Sequence, residues 1–376
     1  MKVTSRRRVL SHRGLASMLG ACVLVTAVGV APASAYSKTP RVTWAADDVV
    51  LSIVHIGSVT FIAGRFTHLV SPSGDQVISR PHLAELDADG NPLPWNPGTS
   101  DTVNVLVASG NTLYAAGRFA TIAGRSQPNI GAFDLTTGDF LTAFHPAVEG
   151  GIFTAVAGPE YGSLYLGGGF TSIDGVAQAS LGAISLTTGA LVPSFRPGPL
   201  KAGLNGTNVR GVVVTGGRLV ADGDFIPHIA SFDPVSGDAQ PWVDHTPWRF
   251  LSLATDGTNV YGGSGNGGGH VIAYRVSDGT AIWQHRGDGN VQHIAIGPDG
   301  LVYVAGHFDH IDTKPRNFLA VFAPGDGALQ PYRIVTVPCC YGGIWGIDVQ
   351  PDMLYVGGRF DSIGGVIQRR YAELPV

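Results

Sequence analysis

Cys339 and Cys340 are adjacent, and beyond Cys22 they are the only cysteines in the chain of 376 residues. In an oxidising compartment such a pair bonds only through a strained ring, because its Cα atoms are ~3.8 Å apart and ordinary disulfides prefer more. It reads as a rigid apolar plate beside a ligand, as a staple in a long loop, or as two reduced thiols. Arg210, His293 and Trp345 stand out for another reason. Each interrupts a segment whose counterparts elsewhere in the chain are small or apolar, so each is a candidate for ligand binding. His245, within Asp244-His245-Thr246-Pro247-Trp248, is a further candidate on a loop.

Two patterns suggest cations. Asp87-Ala88-Asp89-Gly90-Asn91 has carboxylates at alternate positions, as calcium loops do. Its counterparts at 134–138 and 233–237 are stretches of a hairpin turn, in which Gly supplies positive φ. His307 and His310 are three apart, yet the counterparts of His307 include Arg65, Arg118 and Arg359, so no metal is expected. Nor is a catalytic set visible: the chain has no Gly-x-Ser-x-Gly elbow, no His-Glu-x-x-His and no phosphate loop between a strand and a helix. Asp288 and Asp348 are lone acids whose convergence only a structure can decide. No cofactor is expected.

The elements that position these residues follow from composition and repetition. With 53 Gly, 24 Pro, 44% hydrophobic and 14% charged residues, the chain is a turn-rich globular protein, which excludes disorder and helical bundles. Residues 1–13 are basic, 14–31 are uncharged and apolar, and Ala33-Ser34-Ala35 is a small-x-small cleavage site, so residues 1–35 are expected to be a secretory signal peptide. An uncleaved anchor, a twin-arginine signal at Arg6-Arg7 and a lipoprotein box at Cys22 are the other readings. Beyond Ala35 there are 19 Lys and Arg against 28 Asp and Glu, a net charge of −9, which argues against a nucleic-acid partner.

One phrase recurs, as Ala63-Gly64-Arg65-Phe66, Ala116-Gly117-Arg118-Phe119, Gly167-Gly168-Gly169-Phe170, Asp222-Gly223-Asp224-Phe225, Ala305-Gly306-His307-Phe308 and Gly357-Gly358-Arg359-Phe360. The Phe residues are spaced by 53, 51, 55, 83 and 52, and Tyr261-Gly262-Gly263-Ser264-Gly265 divides the long interval as a worn copy. Each repeat carries four β-type segments, the fourth marked by Trp95, Phe144, Phe195, Trp242, Trp283 or Tyr332. The fold expected is therefore all-β: a seven-bladed β-propeller of four-stranded antiparallel blades spanning 36–376. The last repeat ends after its third segment, so Arg41-Val42-Thr43-Trp44 is expected to supply the fourth and close the last blade.

Residues 164–197 carry Leu164-Tyr165-Leu166-Gly167-Gly168-Gly169-Phe170-Thr171-Ser172-Ile173-Asp174-Gly175, then a Leu-x-x-x segment, a Thr-Gly turn and an aromatic near Pro. This pattern resembles the delta-60 repeat, and the resemblance covers essentially all of 36–376. It implies a secreted or surface bacterial propeller and assigns no activity. The expected function is thus non-enzymatic binding of a protein or cell-envelope glycan by rim loops, in a monomer free of the membrane after signal removal. The alternative is a quinoprotein-like oxidoreductase with a ligand near Cys339-Cys340, because residues 273–283 resemble the Trp-docking repeat of such enzymes.

Overall fold

The computed structural model describes residues 36–243, 246–265 and 268–376, with the backbone but not the side chains of 339–341. The signal-peptide expectation and His245 lie outside these residues. Each repeat forms an antiparallel sheet: in the second, Val103–Ser109 pairs with Thr112–Gly117, which pairs with Ile130–Asp134. The first strands of successive sheets are Val50–Ile56, Val103–Ser109, Ile152–Gly158, Val209–Thr215, Arg249–Thr255, Val291–Ile296 and Thr336–Val349. Each packs beside the next, and Thr336–Val349 packs back onto Val50–Ile56, so the first strands close a ring around a central channel. The architecture is a β-propeller. Among the described residues no helix is long and apolar enough to cross a membrane.

Second strands lie between neighbouring sheets and are buried on both faces, as Leu113, Tyr114, Ala115 and Ala116 are. The repeated Phe side chains are no more than 2% exposed, and each contributes about 1.5–3 kcal/mol of burial. The glycine before them answers to crowding. A Cβ on Gly117 would overlap the carbonyl oxygen of Thr102, and Gly64 meets Val49 in the same way. The worn repeat escapes this requirement: Ser264 stands at the glycine position, fully buried, and its Oγ accepts the His270 amide at 2.7 Å.

Four-stranded blades are only partly realised. Fourth strands form at Ala239–Gln240 and Ala281–Arg286, whereas other repeats make only single bridges, such as Leu86↔Pro92, Ile184↔Leu191 and Phe322↔Leu329. Proline contributes in several repeats, though the second, whose segment 139–144 has none, also stops at the single bridge Phe133↔Phe140. Pro92, Pro94, Pro193 and Pro331 remove ladder donors where the fourth strand would run, Pro241 cuts off the short one, and 281–286 contains none. The aromatic marker instead serves docking between sheets. Trp95 Nε1 donates to the Gly138 carbonyl at 2.9 Å, and Trp283 Nε1 to that of Pro324 at 2.9 Å. Gly138 itself, at φ +76°, has no room for a Cβ against the Trp95 indole.

The end of the chain meets residues near its described start. Ser37 N donates to the Pro375 carbonyl at 2.5 Å and Arg41 N to that of Glu373 at 3.0 Å, alongside Tyr371–Pro375. The expected strand at 41–44 is thus shifted upstream and reduced to one bridge, Arg41↔Glu373. Residues 45–46 turn away to pair with Val70 and Leu69. Tyr36, 2% exposed, packs edge-on against Tyr303 and Tyr332.

Candidate functional site

The same irregularity recurs where each first strand begins. Val50 pairs with Gly64 and Ser52 with Ala63, leaving Leu51 as an extra residue in a bulge. Equivalent register shifts bracket Asn104, Phe153, Arg210, Leu251, Gln292 and Trp345. A bulge re-aims its side chain, and here every bulged residue lines one opening of the channel, a cavity of about 470 Å³. The residue before each bulge is a buried Val, Ile or Phe. The bulged position itself is half-buried and varies among the sheets, with Leu recurring only at 51 and 251. The bulge and the buried apolar residue before it are therefore constant, while the side chain presented at this mouth changes.

Arg210 and Trp345, both expected from the sequence, occupy bulges, and His293 lies one residue after the Gln292 bulge. All three line the same cavity. His293 is half-buried in the channel wall, and desolvation by its neighbours pushes its pKa down to about 4, so it is neutral at physiological pH. The Trp345 indole N–H makes no hydrogen bond among the described residues. Cys339 and Cys340 fall between the Pro338↔Phe360 and Gly343↔Arg359 pairs, where the chain leaves the ladder upstream of Trp345.

Guanidinium groups cover the aromatic rings of this mouth. The Arg210 carbon Cζ lies 4.7 Å from the Phe153 centroid, that of Arg118 lies 5.8 Å from the same ring, and that of Arg65 lies 5.8 Å from the Trp345 ring. Arg65 and Arg118 come from the repeated phrase at the ends of second strands, so a second ring of variable positions meets the bulges. In the fourth sheet that position is Asp224, whose buried carboxylate accepts from Arg210 Nη2 at 2.9 Å and Asn208 Nδ2 at 2.9 Å and pairs with Arg249 Nε at 3.1 Å. Arg359 pairs with Asp48 at 3.7 Å. Asp101 is held by Thr102 N and Oγ1. Arg210 and Arg249 thus share the single Asp224 carboxylate, although the chain beyond Ala35 is acidic overall. Arg65 and Arg118 make no ion pair among the described residues.

Asp222 sits behind this cluster, fully buried, where other sheets carry Ala63, Ala116, Ala305 or Gly357. Its neighbour explains the exchange. Ser52 Oγ accepts the Leu106 amide at 3.0 Å and Ser252 Oγ that of Ile294 at 3.1 Å, each tying one sheet to the next. The fourth sheet has Gly211 at that position, and an Asp222 carboxyl oxygen lies 2.8 Å from where a Gly211 Cβ would be. Burial raises the Asp222 pKa well above the usual carboxylate range, the nearby Asp224 charge adds to this, and Arg210 opposes it.

The remaining sequence candidates have structural partners. Asp87 Oδ1 accepts the amides of Asp89 and Asn91 at 2.9 and 2.8 Å, as a turn requires. His310 Nδ1 is 2.8 Å from Asp288, whose other oxygen accepts the Asp309 and His310 amides. Asp348 accepts His55 N at 2.9 Å. The two lone acids are therefore engaged in separate places. Among the described residues no group of His, Cys, Asp and Glu could hold a metal. Phe153, Arg65, Arg118, Leu51, Asn104, Leu251 and Gln292 were missed by sequence reasoning. Aligning the repeats on the buried residue that opens each first strand would expose the variable position after it.

No family model matches the chain, and no curated protein matches it. Among solved structures it is similar to the WD40 β-propeller domain of Doa1, with a TM-score of 0.59 and 13% identity over 91% of this chain and 97% of that one. It is also similar to the computationally designed Ika8 protein, with a TM-score of 0.53 and 11% identity over 91% of this chain and 100% of that one. At such identities these likenesses show the fold alone.

Proposed function

We propose that this chain is an exported seven-bladed propeller of the delta-60 repeat type that binds a segment of a partner protein at the channel mouth and performs no catalysis. The observation that carries the reading is the bulged position: a uniform scaffold presents Leu51, Asn104, Phe153, Arg210, Leu251, Gln292 and Trp345 at one opening. Recognition residues varying on a rigid frame are the arrangement of a binding site. The closed succession of first strands supports the blade number, and the pairing of residues 37–41 with 373–375 supports closure of the ring by the N-terminal segment. Export rests on residues 1–35. Both residues of the Gly279–Trp283 spacing have packing roles that support the binding reading: a Cβ on Gly279 would meet the Trp242 indole, and Trp283 fills the space beside Gly327 in the next sheet.

A glycan is the less favoured ligand, because the aromatic rings at the mouth already carry a guanidinium or, for Trp248, the stacked His270 ring at 3.7 Å. Panning a displayed library of random dodecapeptides against the protein tests the reading. Recovered peptides are expected to lose binding on Trp345→Ala or Leu51→Glu. Recovery of binders indifferent to both substitutions, or of none, would count against the mouth as a protein-binding site.

A further inference from the structure

We infer that the segment received at the channel mouth carries carboxylate side chains, and that Arg65 and Arg118 are the residues that read them. The inference rests on the proposal that the mouth is the binding face and adds the chemistry of what enters it.

The two arginines differ from their neighbours. Arg210 and Arg249 are committed to the buried Asp224 carboxylate, and Arg359 to Asp48. Arg65 and Arg118 are exposed, form no direct ion pair among the described residues, and lie over the Trp345 and Phe153 rings; Arg118 acts on Asp101 only at longer range, as one of the influences that lower its carboxyl pKa. A guanidinium resting on an aromatic face has lost part of its side-chain freedom before any ligand arrives, while its N–H edge remains open for two parallel hydrogen bonds to a carboxylate. Pre-ordering lowers the entropic cost of binding. Two arginines, Arg210 and Arg249, share the one Asp224 carboxylate, and Arg65 adds a guanidinium to the same cavity, so positive charge gathers here in a protein otherwise acidic and favours an anionic group. That same overall acidity repels a dense polyanion such as nucleic acid but tolerates isolated carboxylates.

The rings that would stack on a sugar are covered by the arginines themselves, so the chemistry offered is charge with hydrogen bonding. Leu51 and Leu251 supply aliphatic surface in the same opening, suited to an apolar residue next to the acidic one. An extended acidic peptide matches both.

Fluorescence anisotropy of the full exported chain with a fluorescein-labelled decapeptide of alternating Glu and Ser tests this, with the Gln-Ser counterpart as control. The Glu peptide is expected to bind at least about tenfold more tightly, with affinity falling as salt rises. Arg65→Gln combined with Arg118→Gln should remove about tenfold or more. Arg275→Gln, at the far end of the strand His270–Arg275, should leave affinity unchanged. Equal binding of Glu and Gln peptides, both lost on Trp345→Ala, would overturn the acidic inference and leave the mouth intact as a binding site. Loss of Glu-peptide binding equally on Arg275→Gln, insensitivity to the double substitution, or no binding up to about 1 mM would also overturn it. Displacement only by polygalacturonate would assign the arginines to an acidic glycan instead.

Discussion

The guanidinium carbon of Arg210 lies 4.7 Å from the centre of the Phe153 ring, and the two residues occupy the same bulge in successive sheets. Cation and ring are therefore a contact between blades as well as part of the channel mouth. A double-mutant cycle of Arg210→Gln and Phe153→Leu is expected to give a coupling of about 0.5–1 kcal/mol in urea unfolding, the range of a half-exposed cation–π pair. Additive effects would mean that the two side chains do not support each other.

Arg41 and Glu373 join the beginning of the described chain to its end. The Glu373 carboxylate is fully buried, accepts from the Tyr371 hydroxyl at 2.6 Å and pairs with Arg41, yet burial still raises its pKa. Arg41→Ala leaves that group without its cation and is expected to cost about 3 kcal/mol, read as a lower urea midpoint. Adding Glu373→Gln should recover part of the loss, because the uncompensated charge is then gone.

His293 and Asp222 give opposite pH dependences. With its pKa at about 4 in the fold, His293 stays neutral where the unfolded chain, at 6.5, takes up a proton. It therefore lowers stability as pH falls from 6.5 towards 4, by up to about 1.4 kcal/mol per pH unit. His293→Gln should flatten that part of the profile. Asp222, raised above 3.8, stays protonated in the fold while the unfolded chain ionises, so it lowers stability as pH rises from 3.8 through its own raised pKa. Asp222→Asn is expected to stabilise the protein at pH 7 and to leave it unchanged at pH 3. Parallel profiles for wild type and either variant would contradict the assignment.

Gly117→Ala is expected to destabilise by about 2 kcal/mol or more, since the new methyl group must displace the Thr102 carbonyl. Ser264→Gly tests the exception. It removes the acceptor of the His270 amide without relieving any crowding, and a loss of about 1 kcal/mol is expected. Thermal unfolding measures both.

Much of this was legible in the sequence. The phrase ending in Phe66, Phe119, Phe170, Phe225, Phe308 and Phe360 marks second strands because burial between sheets and the backbone crowding at Gly64 and Gly117 both leave a residue-type signature. Arg210 and Trp345 were visible as breaks in that regularity. The bulges were not, because a single extra residue in the ladder changes side-chain direction without demanding any particular residue. Nor was the pairing of Arg65 with Trp345 across two sheets that lie at opposite ends of the chain. Full fourth strands form in only some repeats: the aromatic and the turn recur for docking onto the next sheet, and Pro92, Pro193 and Pro331 remove ladder donors in three of the others.

A crystal structure of the protein with the tightest library-selected peptide tests the binding role of the mouth most directly. The expected result is a peptide lying over the bulged residues with a carboxylate within hydrogen-bond distance of Arg65 or Arg118. A peptide bound along the outer edge of a sheet, or on the face that carries the Gly138 and Gly279 turns, would contradict it.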